Sequence, residues 1–302
     1  NMDKIESILV VVDPTVDRDF SIDKAKQIAK VTGSRVRFFI NNPNTLSDHS
    51  YIYEGIDGNF FETQRRLYEE HYHKLLENLV EEFSAENIEA STAFTEQHHL
   101  AESIIAQADE YKPDLILKST HHHSLIERSL ITNTDWRLIR KCLTPLLLVK
   151  PVLWSDDGSV VTAVDPLHSK AAQNKLDHVL LAGTQFVARI FKFKPCVFHS
   201  YYPFVSTMFP MGGESKEHLD RIRQHHAEQL NELIEGYDFA DDGIELSEGD
   251  LVPELTLYLQ SVQANILVIG ALSRNVIERA IIGNTAEKIL EDCPCDVLVL
   301  KS

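Results

Sequence analysis

Ile126-Glu127-Arg128-Ser129-Leu130-Ile131-Thr132-Asn133-Thr134 returns later in the chain as Ile277-Glu278-Arg279-Ala280-Ile281-Ile282-Gly283-Asn284-Thr285, at an offset of 151 residues (277 − 126). The same offset carries Cys142 onto Cys293 and Lys150 onto Lys301. It also carries the run Asp114-Leu115-Ile116-Leu117 onto Asn265-Ile266-Leu267-Val268. Nearer the start, Val12-Asp13-Pro14 matches Val164-Asp165-Pro166 at an offset of 152, and Pro43 matches Pro203. A period this long marks a duplicated domain, not a stack of short repeats.

Each copy alternates strand and helix. Ser7–Val12 is a continuous apolar run, as expected of a strand buried on both faces. Ile22, Ala25, Ile28 and Ala29 recur at helical spacing, and Gly33 follows as a stop. Strands are predicted at 35–40, 88–94, 114–117 and 145–149, with helices at 60–83, 100–108 and 136–141. The second copy repeats this order, with strands at 160–164, 196–199, 244–246, 266–269 and 296–300. Its helices are predicted at 171–190, 214–234, 251–262 and 286–290. Strict alternation predicts an α/β fold: two tandem, doubly wound, Rossmann-like domains with mainly parallel five-stranded sheets. The junction, 151–159, is short and polar and contains Ser155-Asp156-Asp157-Gly158. It divides the chain into 1–153 and 154–302. Segments 41–58 and 202–213 lack periodicity and are expected to cover the mouth of each domain.

Composition narrows the class of function. The net charge of −17 disfavours nucleic acid and anionic lipid as partners. No apolar stretch approaches the ~20 residues that span a bilayer, and no secretory pattern follows Met2. Met2 reads as the native start, with Asn1 an expression remnant. A cytoplasmic protein with four reduced cysteines is expected.

After the predicted strand 266–269 comes Gly270-Ala271-Leu272-Ser273-Arg274; nine residues then separate Ser273 from Gly283-Asn284-Thr285, which opens a helix. Gly270 permits a tight turn and Gly283 a close approach of backbone to an anion. The amides at the helix start favour negative charge, Ser273 and Thr285 add hydroxyls, and Arg274 adds a cation. The alternative is an ordinary turn at Gly270 with Asn284 or Thr285 as a helix cap.

On these residues the chain resembles the universal stress protein family, of the tandem-domain type, over essentially its whole length from Ser7 to Lys301. The resemblance implies an adenine nucleotide alpha-hydrolase-like fold and an ATP motif of Gly, two residues, Gly, nine residues, then Gly and Ser or Thr. Here Ser273 replaces the second Gly and Asn284 takes the Ser/Thr place. The resemblance also implies that Asp165, at the end of the first strand of its copy, contacts the adenine and ribose side. Asp13 is its counterpart, and both match a turn-capping Asp before Pro as well. In family dimers the last strand adds to the partner's sheet edge, so the two halves of this chain are expected to form a pseudo-dimer, with a further dimer of chains as an alternative. The implied role is stress tolerance through ATP and unidentified protein partners.

The first copy departs from the motif. Ser119, His122 and Thr132 stand where Gly270, Ser273 and Gly283 stand in the second, so this half is not expected to bind ATP in the family manner. His121-His122-His123 and His98-His99 lie at predicted strand ends, where neutral imidazoles are candidate ligands for zinc or another transition metal; the alternative is a solvated loop. Cys293-Pro294-Cys295 lacks thioredoxin or zinc-ribbon spacing and is expected to pack as small apolar groups. His225 and His226 are expected to face solvent. No catalytic triad, Walker lysine or His-Glu-x-x-His motif is present. Three functions therefore compete: an ATP-binding signalling module, a slow Mg2+-dependent ATPase on the same loop, and a scaffold with a vestigial nucleotide site. The scaffold would hold an apolar ligand against Tyr201, Tyr202, Phe204, Met208 and Phe209.

Overall fold

Apolar runs flanked by turn residues fold as strands, and the longer periodic segments as helices. In chain order the elements begin β1 (Ser7–Val11), α1 (Phe20–Thr32), β2 (Arg35–Asn41), α2 (Gly58–Ala85), β3 (Ala90–Thr95), α3 (Leu100–Tyr111) and β4 (Leu115–Ser119). A short hairpin β5 (His121–His122) and β6 (Ser129–Leu130) follows, then α4 (Asn133–Lys141) and β7 (Leu146–Val149). The second half contains β8 (Ser159–Ala163), α5 (Ala171–Phe191), β9 (Lys194–Tyr201), α6 (Lys216–Ile234) and β10 (Ile244–Glu248). It ends with α7 (Leu251–Ser261), β11 (Ala264–Ala271), α8 (Asn284–Asp292) and β12 (Asp296–Lys301). The computed structural model describes residues 2–43, 58–122, 129–167, 171–202, 216–271 and 284–301.

These elements gather into two compact units. The described residues of Lys4–Ser119 and Thr132–Val149 form the first. Those of Asn1–Asp3, Thr120–Ile131 and Lys150–Ser302 form the second, which therefore includes the β5–β6 hairpin; within it β6 packs against α8. In the first unit the strands run β3-β2-β1-β4-β7, and in the second β10-β9-β8-β11-β12. All neighbours within each set are parallel. The register sets Val10 beside Phe38 and Leu117 in the first unit, and Val161 beside Cys196 and Leu267 in the second.

Both units have the order 3-2-1-4-5, with helical crossovers running to opposite sides of the first strand. That reversal opens a crevice outside the carboxyl ends of β1 and β4, and of β8 and β11, where doubly wound proteins bind ligands. The central strands are buried on both faces: all five residues of β1 are buried, as are Ile266, Leu267 and Val268 of β11. Phe38 and Phe83 meet edge-to-face with centroids 4.8 Å apart, fixing α2 on the first sheet. Val164, Leu181, Val197, Leu230, Leu233 and Ile234 form a corresponding core in the second. α1 is bounded by an Asp19 cap that accepts the Ser21 amide and by Gly33 at φ 72°, a left-handed stop that glycine adopts at little cost.

The segment leading into the second unit is held by one carboxylate. Asp296, fully buried, accepts the backbone N–H of Lys150 at 2.7 Å and the indole N–H of Trp154 at 2.8 Å. The indole packs edge-on against Phe191 and Phe193. Asp296→Ala is expected to leave both donors unsatisfied and to lower stability by about 2–4 kcal/mol. Urea unfolding followed by Trp154 fluorescence in a Trp136→Phe background checks this; an unchanged midpoint would show the clamp to be dispensable.

Candidate functional site

A helix that starts at a strand's carboxyl end presents unpaired amides and a positive dipole end to the crevice, and these need an anion. In the first unit the chain supplies its own. The Thr132 amide and hydroxyl both donate to Asp135 Oδ2 at 2.7 Å, and the Asp135 amide donates to Thr132 Oγ1 at 3.2 Å, a closed capping box at the start of α4. Asp135 is fully buried, and its Oδ1 lies 2.9 Å from Lys118 Nζ at the end of β4. The Lys118 ammonium also donates to the Ser119 carbonyl at 3.1 Å.

The start of α1 is closed in the same way. Buried Asp19 accepts the Asp13 amide at 2.9 Å, the Ser21 amide at 2.9 Å and the Ser21 hydroxyl at 2.6 Å. The Ser119 hydroxyl donates to the same carboxylate. Asp13 itself caps its turn, accepting the Thr15 amide at 2.9 Å and hydroxyl at 2.6 Å. Two internal carboxylates and one internal cation thus complete the first crevice. Thr132, which stands in the place of Gly283, is part of that closure.

The second unit carries neither carboxylate. At the 151 offset Lys118 becomes Ile269 and Asp135 becomes Ala286, while Thr132 becomes Gly283. Between Asp165 and Asp177 there is no acid, but there are Lys170 and Lys175, so Asp19 has no counterpart. α8 links the parallel strands β11 and β12 and so begins, at Asn284-Thr285, on the carboxyl-end side of the sheet. Ser273, Arg274 and Gly283 lie outside the described residues, as do Phe204, Met208, Phe209 and His123. Of Asn284, Thr285, His121 and His122 the backbone alone is described. Among the described residues, no group of three or more His, Cys, Asp or Glu side chains is placed to hold a metal ion.

Gly270 occupies its place for a reason other than the expected turn. β11 continues through it, pairing Gly270 with Leu300 and Ala271 with Lys301. A Cβ at Gly270 would lie 2.5 Å from Leu176 Cδ2, so the missing side chain makes room for α5 against the strand. Asp165 is exposed at the end of β8 and accepts the Leu167 amide at 3.3 Å, the second-copy form of the Asp13–Thr15 turn.

One feature of this crevice was not foreseen. His199, 4% exposed near the end of β9, meets the Val164 carbonyl through Nδ1 at 3.1 Å. Its Nε2 lies 2.8 Å from Nδ1 of His226 on α6. A carbonyl only accepts, so His199 Nδ1 carries the proton and its Nε2 accepts the Nδ1–H of His226. Tyr201 stacks on His226 with centroids 4.8 Å apart. His226 is therefore half-buried and engaged, while His225 beside it is exposed as expected. The β9 and α6 partners lie 27 residues apart with no motif joining them. By contrast, the Lys118–Ile269 and Asp135–Ala286 exchanges are readable by aligning the copies.

Burial pushes the His199 imidazole below its ordinary value, against the Val164 carbonyl and Asp165, which act to raise it. Burial likewise lowers His226, assisted by repulsion from His199 and His225 and opposed by Asp165. A base whose folded value is depressed leaves the native state at full stability above its unfolded value and penalises it as protons are added. The fold is thus expected to lose stability as pH falls below about 6.5. Urea midpoints from pH 8 to 5 for the wild type and for His199→Asn/His226→Gln check this; parallel profiles would exclude the pair as the source.

The Lys118–Asp135 pair gives a second test. Lys118→Ile alone strands a buried carboxylate and is expected to cost about 3–5 kcal/mol. Lys118→Ile with Asp135→Ala, the residues of the second copy, is expected to recover much of that loss in the same urea assay.

Comparison with known proteins agrees with this duplication. The sequence profile of the Universal stress protein family matches residues 4–150 and again 159–301. Universal stress protein E of Photorhabdus laumondii is 26% identical over 308 residues, covering 99% of this chain and 96% of the relative. Universal stress protein E of Escherichia coli K12 is 30% identical over 207 residues, 66% of this chain and 64% of the relative. Among solved structures, a functionally unknown protein of Pseudomonas aeruginosa superposes with a TM-score of 0.76 at 24% identity, covering 99% of this chain and 94% of its own. A universal stress protein of Archaeoglobus fulgidus gives 0.66 at 14% identity, covering 98% of each.

Proposed function

The chain belongs to the universal stress protein family, and on that premise we propose that its second unit is an adenine-nucleotide-binding signalling module of a cytoplasmic stress response. One observation carries the reading. The first unit fills its helix starts with Asp19 and Asp135, whereas the equivalent places in the second hold no acid. A crevice that retains the amides but has lost the internal anion suits an external one, and a triphosphate is the anion for which the Gly270, Ser273, Gly283, Asn284 and Thr285 spacing is suited.

In this reading the amides at Asn284-Thr285 receive the phosphates, with hydroxyls of Ser273 and Thr285 and the charge of Arg274 assisting. Asp165 meets the ribose side. The donor set fits phosphate and supplies no carboxylate cluster for a metal of its own, so Mg2+ would arrive with the nucleotide and keep several waters. Of the ring cluster at the end of β9, His199 and Tyr201 are buried and half-buried His226 is the ring left for a base to meet. Occupancy would then be read by a protein partner. Among the described residues, no helix is long and apolar enough to cross a membrane.

Isothermal titration with ATP and Mg2+ tests the proposal. One saturable site per chain is expected, weakened about tenfold or more by Gly283→Asp. Ile269→Lys with Ala286→Asp, which transplants the internal ion pair of the first unit, is expected to do the same. Two sites would show that the first crevice opens after all. No binding at millimolar ATP would overturn the proposal. Phosphate release measured on the same samples decides between a binding module and a slow ATPase.

A further inference from the structure

Cys293 and Cys295 lie on either side of Pro294, where α8 gives way to β12. Their sulfurs are 3.5 Å apart, and the Cys293 thiol also reaches the Cys295 carbonyl at 3.5 Å. Both are buried, at 6% and 1% exposure. The neighbouring buried cation is Lys150, whose ammonium donates to the Leu290 carbonyl in the last turn of α8 at 3.1 Å. The other two cysteines, Cys142 and Cys196, are free thiols. In the first copy the equivalent of Cys293 is Cys142, but Thr144 stands in the place of Cys295. Packing alone asks for one small apolar group at this turn, as the first copy shows; the second sulfur in contact is an addition peculiar to the second copy.

We propose that Cys293 and Cys295 are a thiol modification site, closing reversibly to an intramolecular disulfide under hydrogen peroxide. The sulfurs start at contact distance and need about 1.5 Å of approach to reach a bond of about 2.05 Å. The two thiols are not equivalent. The hydrogen bond from Cys295 lowers the Cys293 thiol below the usual range, and the charge of Lys150 acts in the same direction. Donating that bond, together with burial, raises Cys295. Cys293 is also the more accessible sulfur, 6% exposed against 1%, and is assigned as the attacking one, with Cys295 resolving.

The Cys293 thiolate attacks one peroxide oxygen, and the O–O bond breaks. The departing hydroxide takes up the proton that Cys293 lost and leaves as water. The Cys295 sulfur then attacks the sulfenic sulfur of Cys293. The S–O bond breaks, and the second water leaves with the Cys295 proton. Two thiols lose two electrons to one peroxide, which becomes two waters. Burial makes the rate follow local opening at the end of α8, and the ring protects Cys293 from further oxidation.

The test uses the whole protein treated with hydrogen peroxide in slight excess, quenched, denatured and alkylated. The expected mass is lower by two hydrogens, with two of the four thiols lost to alkylation and both recovered with a dithiol reductant. Peptide mapping should place the bridge within the segment holding Cys293 and Cys295. Cys295→Ser should instead accumulate a sulfenic acid at Cys293, trapped by dimedone. Cys142→Ser with Cys196→Ser should oxidise as the wild type does. Retention of all four thiols, a sulfinic or sulfonic acid at Cys293 in the wild type, or a bridge between two chains would each overturn the proposal. If Cys295→Ser fails to fold, equilibration of wild type in glutathione redox buffers replaces it. A reversible loss of these two thiols together supports the site, and independent loss of one refutes it.

Discussion

Everything at the functional end of this protein depends on how the positive start of a helix is neutralised. A doubly wound sheet points its helix starts into the crevice beside its first strand, so unpaired amides gather there by topology alone. Leaving them dry and unpaired is costly, and the chain has two remedies. It can build an anion into its own sequence or leave the place to a ligand. The first unit takes the former course with Asp19 at α1 and Asp135 at α4, the latter neutralised by Lys118. These groups are buried, so the pairing is an internal feature of the fold and not a surface embellishment. The second unit keeps the backbone and drops the side chains.

This explains how a duplication can yield two different parts without a change of architecture. Strand order, crossovers and helix starts are the same in both units, down to the 151-residue spacing between Asn133 of α4 and Asn284 of α8. The exchanges Lys118 for Ile269 and Asp135 for Ala286 remove opposite charges together, which is the easier route through a buried ion pair, because either change alone strands its partner. Thr132 and Gly283 follow the same logic: a hydroxyl belongs where it completes a cap, and a bare backbone where something else must come close.

The alternation of strand and helix was legible in the residues because it is written in periodicity, which local sequence determines. The two sheets follow from that alternation and from the copies matching end to end. The strand edges were less legible: β3 runs Ala90–Thr95, starting after the predicted 88 and with no residue of the strand fully buried, so its apolar pattern is weak. Long-range side-chain pairing was not legible in local pattern, although the paired exchange of Lys118 and Asp135 for Ile269 and Ala286 shows when the copies are aligned. Ser119 closing on Asp19, Lys118 on Asp135, and His199 on His226 join residues that only the folded sheet brings together. Gly270 shows the opposite error. A glycine at a strand end reads as a turn, but its lack of Cβ serves Leu176 on a helix far earlier in the chain.

The imidazole pair at the end of β9 then takes on meaning from the same constraint. A crevice without counterparts of Asp19 and Asp135 still has Asp165 acting on the imidazole pair, and that carboxylate opposes the burial that holds the pair uncharged. Burial keeps His199 and His226 neutral near pH 7, and each neutral imidazole spends its one Nδ1 proton: His226 donates to His199 Nε2, and His199 donates to the Val164 carbonyl. The second unit therefore has no acid at the places of Asp19 and Asp135 while holding these two histidines uncharged, so neither an internal carboxylate nor an imidazolium competes with the backbone amides there. In the proposed reading, such a site would discriminate by shape and by where the amides point, and its attraction for an anion would not vary with small changes of pH above the range in which the pair titrates.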